Sequence, residues 1–106
     1  MHVIVWQFLV DEPQREAFER AYGPVGRWVT LFRRSPGFLG TELLHDREEP
    51  RRYFTVDRWE SAAAFAAFRQ DHGAAYETLD RELEGLSSEE VRVGEFETVR
   101  NDPSAR

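Results

Sequence analysis

The segment HVIVWQFLV, residues 2–10, is apolar at both odd and even positions, and this restricts the fold more than any other stretch of the chain. Side chains alternate between the two faces of a strand, so a segment apolar on both parities needs cover on both sides. It predicts a central strand of a layered sheet. If helices cover one face, either Val3, Val5 and Leu9 or Ile4, Trp6 and Phe8 are left on the other. A monomer would then expose an apolar patch of roughly several hundred Å², the size that marks an interface. A homodimer packed sheet on sheet is therefore expected.

The rest of the pattern supplies the layers. Asp11 offers an N-cap, with Pro13 in the first turn and Gln14 three residues on, which predicts a capped helix carrying Ala17, Phe18, Ala21 and Tyr22 inward. Gly23-Pro24 ends it, and a short second helix places Trp28, Leu31 and Phe32 at i, i+3 and i+4 before the Ser35-Pro36-Gly37 turn. Strands are expected over 38–46 and 52–59. Ser61 then caps a helix whose stripe runs Phe65, Phe68, His72, Tyr76, Leu79, Leu83 and Leu86, with Gly73 as the expected kink. A last strand over 91–99 completes one domain spanning residues 1–100, and NDPSAR, residues 101–106, reads as a disordered tail. The order strand, helices, strand, strand, helices, strand is the ferredoxin-like split βαβ arrangement of α+β proteins: a four-stranded antiparallel sheet with helices on one face.

Composition removes whole classes of chemistry. Cysteine is absent, which excludes disulfides, zinc-thiolate and iron-sulfur sites and a thiol nucleophile. Lysine is absent too, and all 14 basic residues are Arg, so Schiff-base chemistry and a phosphate-binding P-loop are excluded. A net charge of −6 with arginines interspersed among acids argues against nucleic-acid binding. The first apolar run meets Asp11 and Glu12 without a basic region ahead of it, so neither a signal peptide nor a membrane span is expected, and the protein reads as soluble and cytoplasmic. No HxxxH, HxH or GxSxG spacing occurs, so no metal site and no serine-hydrolase triad is expected.

The segments AYGPVGRWVTLF, GFLGTELL and YFTVDRWESAAAF, taken with this strand order, resemble the antibiotic biosynthesis monooxygenase domain family of dimeric α+β barrels. The resemblance covers about residues 2–99. It implies two ferredoxin-like subunits, each with a pocket between sheet and helices. It also implies either cofactor-independent oxygenation of phenols, quinols or polyketide-like compounds, or a barrel that binds a hydrophobic small molecule or serves in assembly without chemistry. The haem-degrading branch of the family is expected to carry an Asn on the first strand, a Trp on the helix after the third strand, and a His ten residues beyond it. Gln7, Phe68 and Thr78 stand at those places here. The chain departs from that branch.

Oxygenation without cofactor needs a base, an apolar pocket and donors for the developing charge. His72, on the apolar stripe, reads either as the base or as a histidine bonded to backbone at a kink. Asp57 shares a strand face with Tyr53, Thr55 and Trp59, and reads either as a pocket acid or base or as half of an ion pair with an arginine such as Arg92. Tyr22 or Tyr53 is the expected donor, and Trp28, Trp59, Phe65, Phe68 and Tyr76 the expected pocket wall. Tyr22 and Trp28 flank Gly23-Pro24-Val25-Gly26, which reads as a mobile lid or as turn chemistry. His45 is expected at an exposed loop edge, and His2 is expected to be inert.

Overall fold

The computed structural model describes residues 1–100; the tail expected over 101–106 lies outside them. Strand β1 (His2–Leu9) leads through a single 3₁₀ turn (Glu12–Gln14) to helices α1 (Arg15–Tyr22) and α2 (Arg27–Phe32). Strands β2 (Phe38–His45) and β3 (Arg52–Trp59), the long helix α3 (Ala62–Glu82) and strand β4 (Glu89–Glu97) follow. The sheet runs β2-β3-β1-β4, with every neighbouring pair antiparallel. β1 is thus an inner strand, as its two-sided apolar pattern requires.

Strand parity decides what enters the core. His2, Ile4, Phe8 and Val10 are buried on the helix-covered face, as are Tyr53, Thr55, Asp57 and Trp59 of β3. Trp59 is fully buried and meets Phe32, Phe38, Phe65 and Phe68 at ring-centroid distances of 5.1–5.5 Å. Such edge-to-face and tilted pairs add to the burial of the rings themselves. On the opposite face, Val3, Val5 and Leu9 are only half-buried, while Leu44, Val91 and Phe96 are exposed.

Several local features differ from expectation. Asp11 does not cap α1; its carboxylate pairs with Arg51 at 2.9 Å instead, and the chain enters the helix through the 3₁₀ turn. Ser61 does cap α3, its Oγ accepting from the Ala64 N–H at 3.0 Å. The irregularity in α3 falls on His72 (φ −125°, ψ 20°) rather than Gly73. β4 begins at Glu89 and ends at Glu97 because it pairs with β1 from Leu9 back to His2, so its partner sets its length. The Gly23–Gly26 segment forms a tight turn: the Gly26 N–H donates to the Gly23 carbonyl at 3.0 Å, while Tyr22 and Trp28 on either side are buried.

These backbones predict opposite outcomes for two glycines. A Cβ at Gly26 would sit 2.4 Å from the Ala21 carbonyl oxygen, whereas one at Gly73 would meet nothing within 4 Å. Gly26→Ala is expected to destabilise the fold by about 1–3 kcal/mol through overpacking. Gly73→Ala is expected to stabilise it by about 0.5–1 kcal/mol by restricting the unfolded chain and favouring helix. Urea denaturation of the two variants checks both signs.

Candidate functional site

Between the sheet and the helices lies a narrow inner recess of about 40 Å³ that shares its wall with a wider cleft of about 420 Å³. Trp6, Phe32, Asp57, Tyr76, Asp80 and Glu90 line both. Phe8, Tyr22, Trp28, Thr41 and Thr55 complete the recess, and Phe65, Arg69 and Arg92 belong to the cleft. The cleft is within the size range of small-molecule sites, and its aromatic walls suit a planar ring.

Asp57 is the polar centre of this space. Its parity on β3 carries it inward beside Thr55 and Trp59, and its register places it opposite Ile4 of β1 and Thr41 of β2. The residue is 8% exposed. Thr41 Oγ1 donates to Asp57 Oδ1 at 2.6 Å, and no arginine lies at ion-pair distance among the described residues. The expected pairing with Arg92 is not formed, because Arg92 is engaged by Glu95. Burial pushes the Asp57 carboxyl up to about 6, against the smaller opposing effect of the Thr41 hydrogen bond.

The other candidates divide between this site and the core. Tyr22, Trp28 and Tyr76 line the recess, and Phe65 and Tyr76 line the cleft. Burial pushes the Tyr22 hydroxyl up to about 12, slightly opposed by the neighbouring Trp28 indole, whose buried Nε1–H has no partner of hydrogen-bond geometry among the described residues. Burial also raises Tyr76, whose ring carries the Arg69 guanidinium 4.0 Å above it.

Four candidates are placed elsewhere. Trp59 and Phe68 are packed against the core rings and line neither the recess nor the cleft, Phe68 bordering instead the outer cleft beside His72. Tyr53 reaches the far end of the inner face, where its hydroxyl donates to Glu19 and accepts from Arg15 Nε at 3.3 Å. His72 lines a separate outer cleft with Ser35, Pro36 and Asp71, since the break in α3 falls on it.

The remaining histidines have structural partners. The His45 ring stacks on Tyr53 at 4.3 Å, and its Nε2 lies 2.8 Å from the Pro50 carbonyl. His2, expected to be inert at the terminus, is buried and pairs with Glu95 at 2.8 Å. Among the described residues no three His, Asp or Glu side chains converge as a metal-binding group.

Trp6, Thr41, Asp80 and Glu90 are site residues that the sequence reading missed. Trp6 belongs to one of the two parities of β1 between which the residues do not choose, and Asp80 stands four residues beyond Tyr76 on α3. Thr41 and Glu90 depend on strand register, which has no local signal.

The fold and this pocket define a ferredoxin-like α+β protein with a cavity between its layers. The model of the family described as antibiotic biosynthesis monooxygenase matches residues 1–77, and the chain belongs to this family. Among solved structures, an antibiotic biosynthesis monooxygenase-type protein from Bordetella bronchiseptica is 24% identical, with a TM-score of 0.73 over 93% of this chain and 97% of that one. SnoaB, a cofactor-independent oxygenase from Streptomyces nogalater, is 24% identical, with a TM-score of 0.64 over 96% of each chain. These two likenesses are of fold. MhuD, solved as a mutant with two manganese protoporphyrin IX molecules per active site, is 25% identical, with a TM-score of 0.71 over 96% of this chain and 98% of that one. No curated protein gives a significant match. Among the described residues, no helix is long and apolar enough to cross a membrane.

A porphyrin held by histidine does not fit the residues present. None of the three histidines lines the recess or the cleft. Gln7 lies on the opposite face of the sheet, Phe68 is in the core, and Thr78 lines a different cleft between α2 and α3.

The position of Asp57 carries a prediction about stability. Its folded-state pKa is raised to about 6 from 3.8, so the folded protein holds this proton more tightly than the unfolded chain. The stability Asp57 contributes is therefore present below about 4 and lost as pH rises through about 6. At pH 7.5 Asp57→Asn, which keeps an acceptor for Thr41, is expected to be more stable than the wild type by up to about 3 kcal/mol. At pH 4 that gap closes. Thr41→Val removes the hydrogen bond and is expected to raise the Asp57 pKa further, read by carboxyl NMR titration.

Proposed function

We propose that this chain is a cofactor-independent monooxygenase acting on an aromatic phenol, quinol or polyketide-like compound, with Asp57 as general base. The observation that carries the reading is a buried carboxylate, held by Thr41 and without a cationic partner among the described residues, in a recess walled by Trp6, Phe8, Trp28 and Phe32. A base works best when its pKa lies near the working pH, and burial brings Asp57 to about 6. Family membership and the fold shared with the SnoaB oxygenase support the same reaction class.

The chemistry balances without an added reductant. Asp57 accepts the phenolic proton, and the apolar walls hold the resulting anion away from bulk water. The electron-rich ring carbon forms a bond to dioxygen. The peroxide oxygen is then protonated, the ring C–H proton leaves, and the O–O bond breaks. A phenol and O₂ become a quinone and water, and the substrate supplies all four electrons. Tyr22, held in its protonated form by burial, and the unpartnered Trp28 Nε1–H are the donors that meet the developing oxyanion. Tyr53 is already committed to Glu19 and Arg15, which leaves the donor role to Tyr22.

The working unit is inferred to be a homodimer joined through the uncovered sheet face, where Leu39, Leu44, Val91, Val93 and Phe96 are each 43–51% exposed. Sedimentation velocity is expected to show a dimer for the wild type and a monomer for Val91→Glu/Phe96→Glu.

The activity is tested with an oxygen electrode and a panel of hydroquinones and anthrones. Turnover is expected to rise with pH through about 6 as Asp57 loses its proton. Asp57→Asn is expected to lose about 10²–10⁴-fold, while His72→Ala, outside the recess, keeps its rate. Full activity in Asp57→Asn removes Asp57 as base. If no compound is oxidised yet aromatic ligands bind, the alternative reading holds: a barrel that binds a hydrophobic small molecule or serves in assembly.

A further inference from the structure

The inner recess contains more charge than one general base requires. Asp80 comes to it from α3 and Glu90 from β4, joining Asp57 from β3, and no arginine is among its lining residues in the described chain. Arg69 and Arg92 line only the wider cleft, where Arg69 lies over the Tyr76 ring and Arg92 is paired with Glu95. Charge inside the recess is therefore of one sign.

The acids act on one another and on the ring-bearing side chains around them. Burial and the Asp80 charge both raise Glu90, and Asp80 and Glu90 both raise Tyr22 and Tyr76. One further group at the recess points to a ligand independently of the acids. Trp28 is 8% exposed and lines the recess, yet its Nε1–H has no hydrogen-bond partner among the described residues. A buried donor left without a partner costs free energy until an acceptor atom of a ligand or water meets it.

We propose that Asp80 and Glu90 determine substrate specificity, admitting hydroxylated aromatic rings that are neutral or carry an amine and rejecting those that carry a carboxylate, sulfate or phosphate. The proposal rests on reading the recess as the reactive site. Ring hydroxyls are donors, and the acidic side chains offer acceptors for more than one of them. A carbonyl or ether oxygen on the same ring suits the Trp28 N–H. An anionic substituent brought beside these carboxylates is repelled, most strongly by Asp57, the buried one of the three, while Asp80 and Glu90 add like charge from exposed positions at the rim.

The test measures binding rather than turnover, so it separates this claim from the oxygenase reading. Three ring-matched probes are titrated against the full chain by isothermal calorimetry at pH 7.5: hydroquinone, 2,5-dihydroxybenzoate and 2-(2,5-dihydroxyphenyl)ethylamine. The amine is expected to bind at least tenfold more tightly than the benzoate, a difference of about 1.4 kcal/mol, with hydroquinone between them. Asp80→Asn/Glu90→Gln is expected to narrow the spread to under threefold, and Asp80→Asn alone to narrow it in part should the double variant fold poorly. Equal affinities in the wild type, a spread unchanged in the variants, or no binding of any probe at millimolar concentration overturns the proposal. If the order holds while no probe is oxidised, the specificity claim stands and the oxygenase reading falls.

Discussion

The full burial of Trp59 is the constraint on which the site depends. A strand alternates its faces with a period of two, so anchoring Trp59 among Phe32, Phe38, Phe65 and Phe68 forces Asp57, Thr55 and Tyr53 to the same side. A one-residue slip would put Arg58, Phe54 and Arg52 inward and expose the largest ring of the core. The hydrophobic gain from one tryptophan thus carries a carboxylate into the interior. Thr41, paired with it across β2, holds that carboxylate in place.

That placement joins stability to function. Burial disfavours the charged form of Asp57 and makes it more basic than an exposed aspartate, and the one Thr41 hydrogen bond only partly offsets the cost. Among the described residues no arginine pairs with it, which keeps the group available to take a proton. The aromatic walls that desolvate Asp57 are also the surfaces that would hold a ring. Asp80 and Glu90 add two further carboxylates to the lining of the same small space.

Much of the architecture was legible in the residues. The two-sided apolar run marked β1 as an inner strand, Ser61 marked the start of α3, and the order of elements marked the split βαβ sheet. Asp57 was legible as an acid sharing a strand face with Tyr53 and Trp59, but which side of the sheet that face takes was not, because alternation alone does not say which parity the helices cover. The failures share a physical cause. His72 lies on the apolar stripe of α3, yet the helix breaks at that residue and the side chain faces an outer cleft. Asp11 has the chemistry of a helix cap but is taken by Arg51, 40 residues away in sequence. Glu90 joins the recess because β4 begins at Glu89, a boundary set by pairing with β1 and not by local propensity.

By itself the sequence determined the class of fold, the inner position of β1 and the strand face that Asp57 shares with Trp59, because these follow from periodicities of two and 3.6 residues that any short window displays. It also excluded thiol and lysine chemistry, because the residues are absent. Only the tertiary structure decided which partner meets Asp57, which aromatics wall a cavity and which fill the core, and that Asp80 and Glu90 share the recess with it. Those outcomes depend on strand register and on the seating of α3 over the sheet. Each brings together residues far apart in the chain, and no local spacing encodes their meeting.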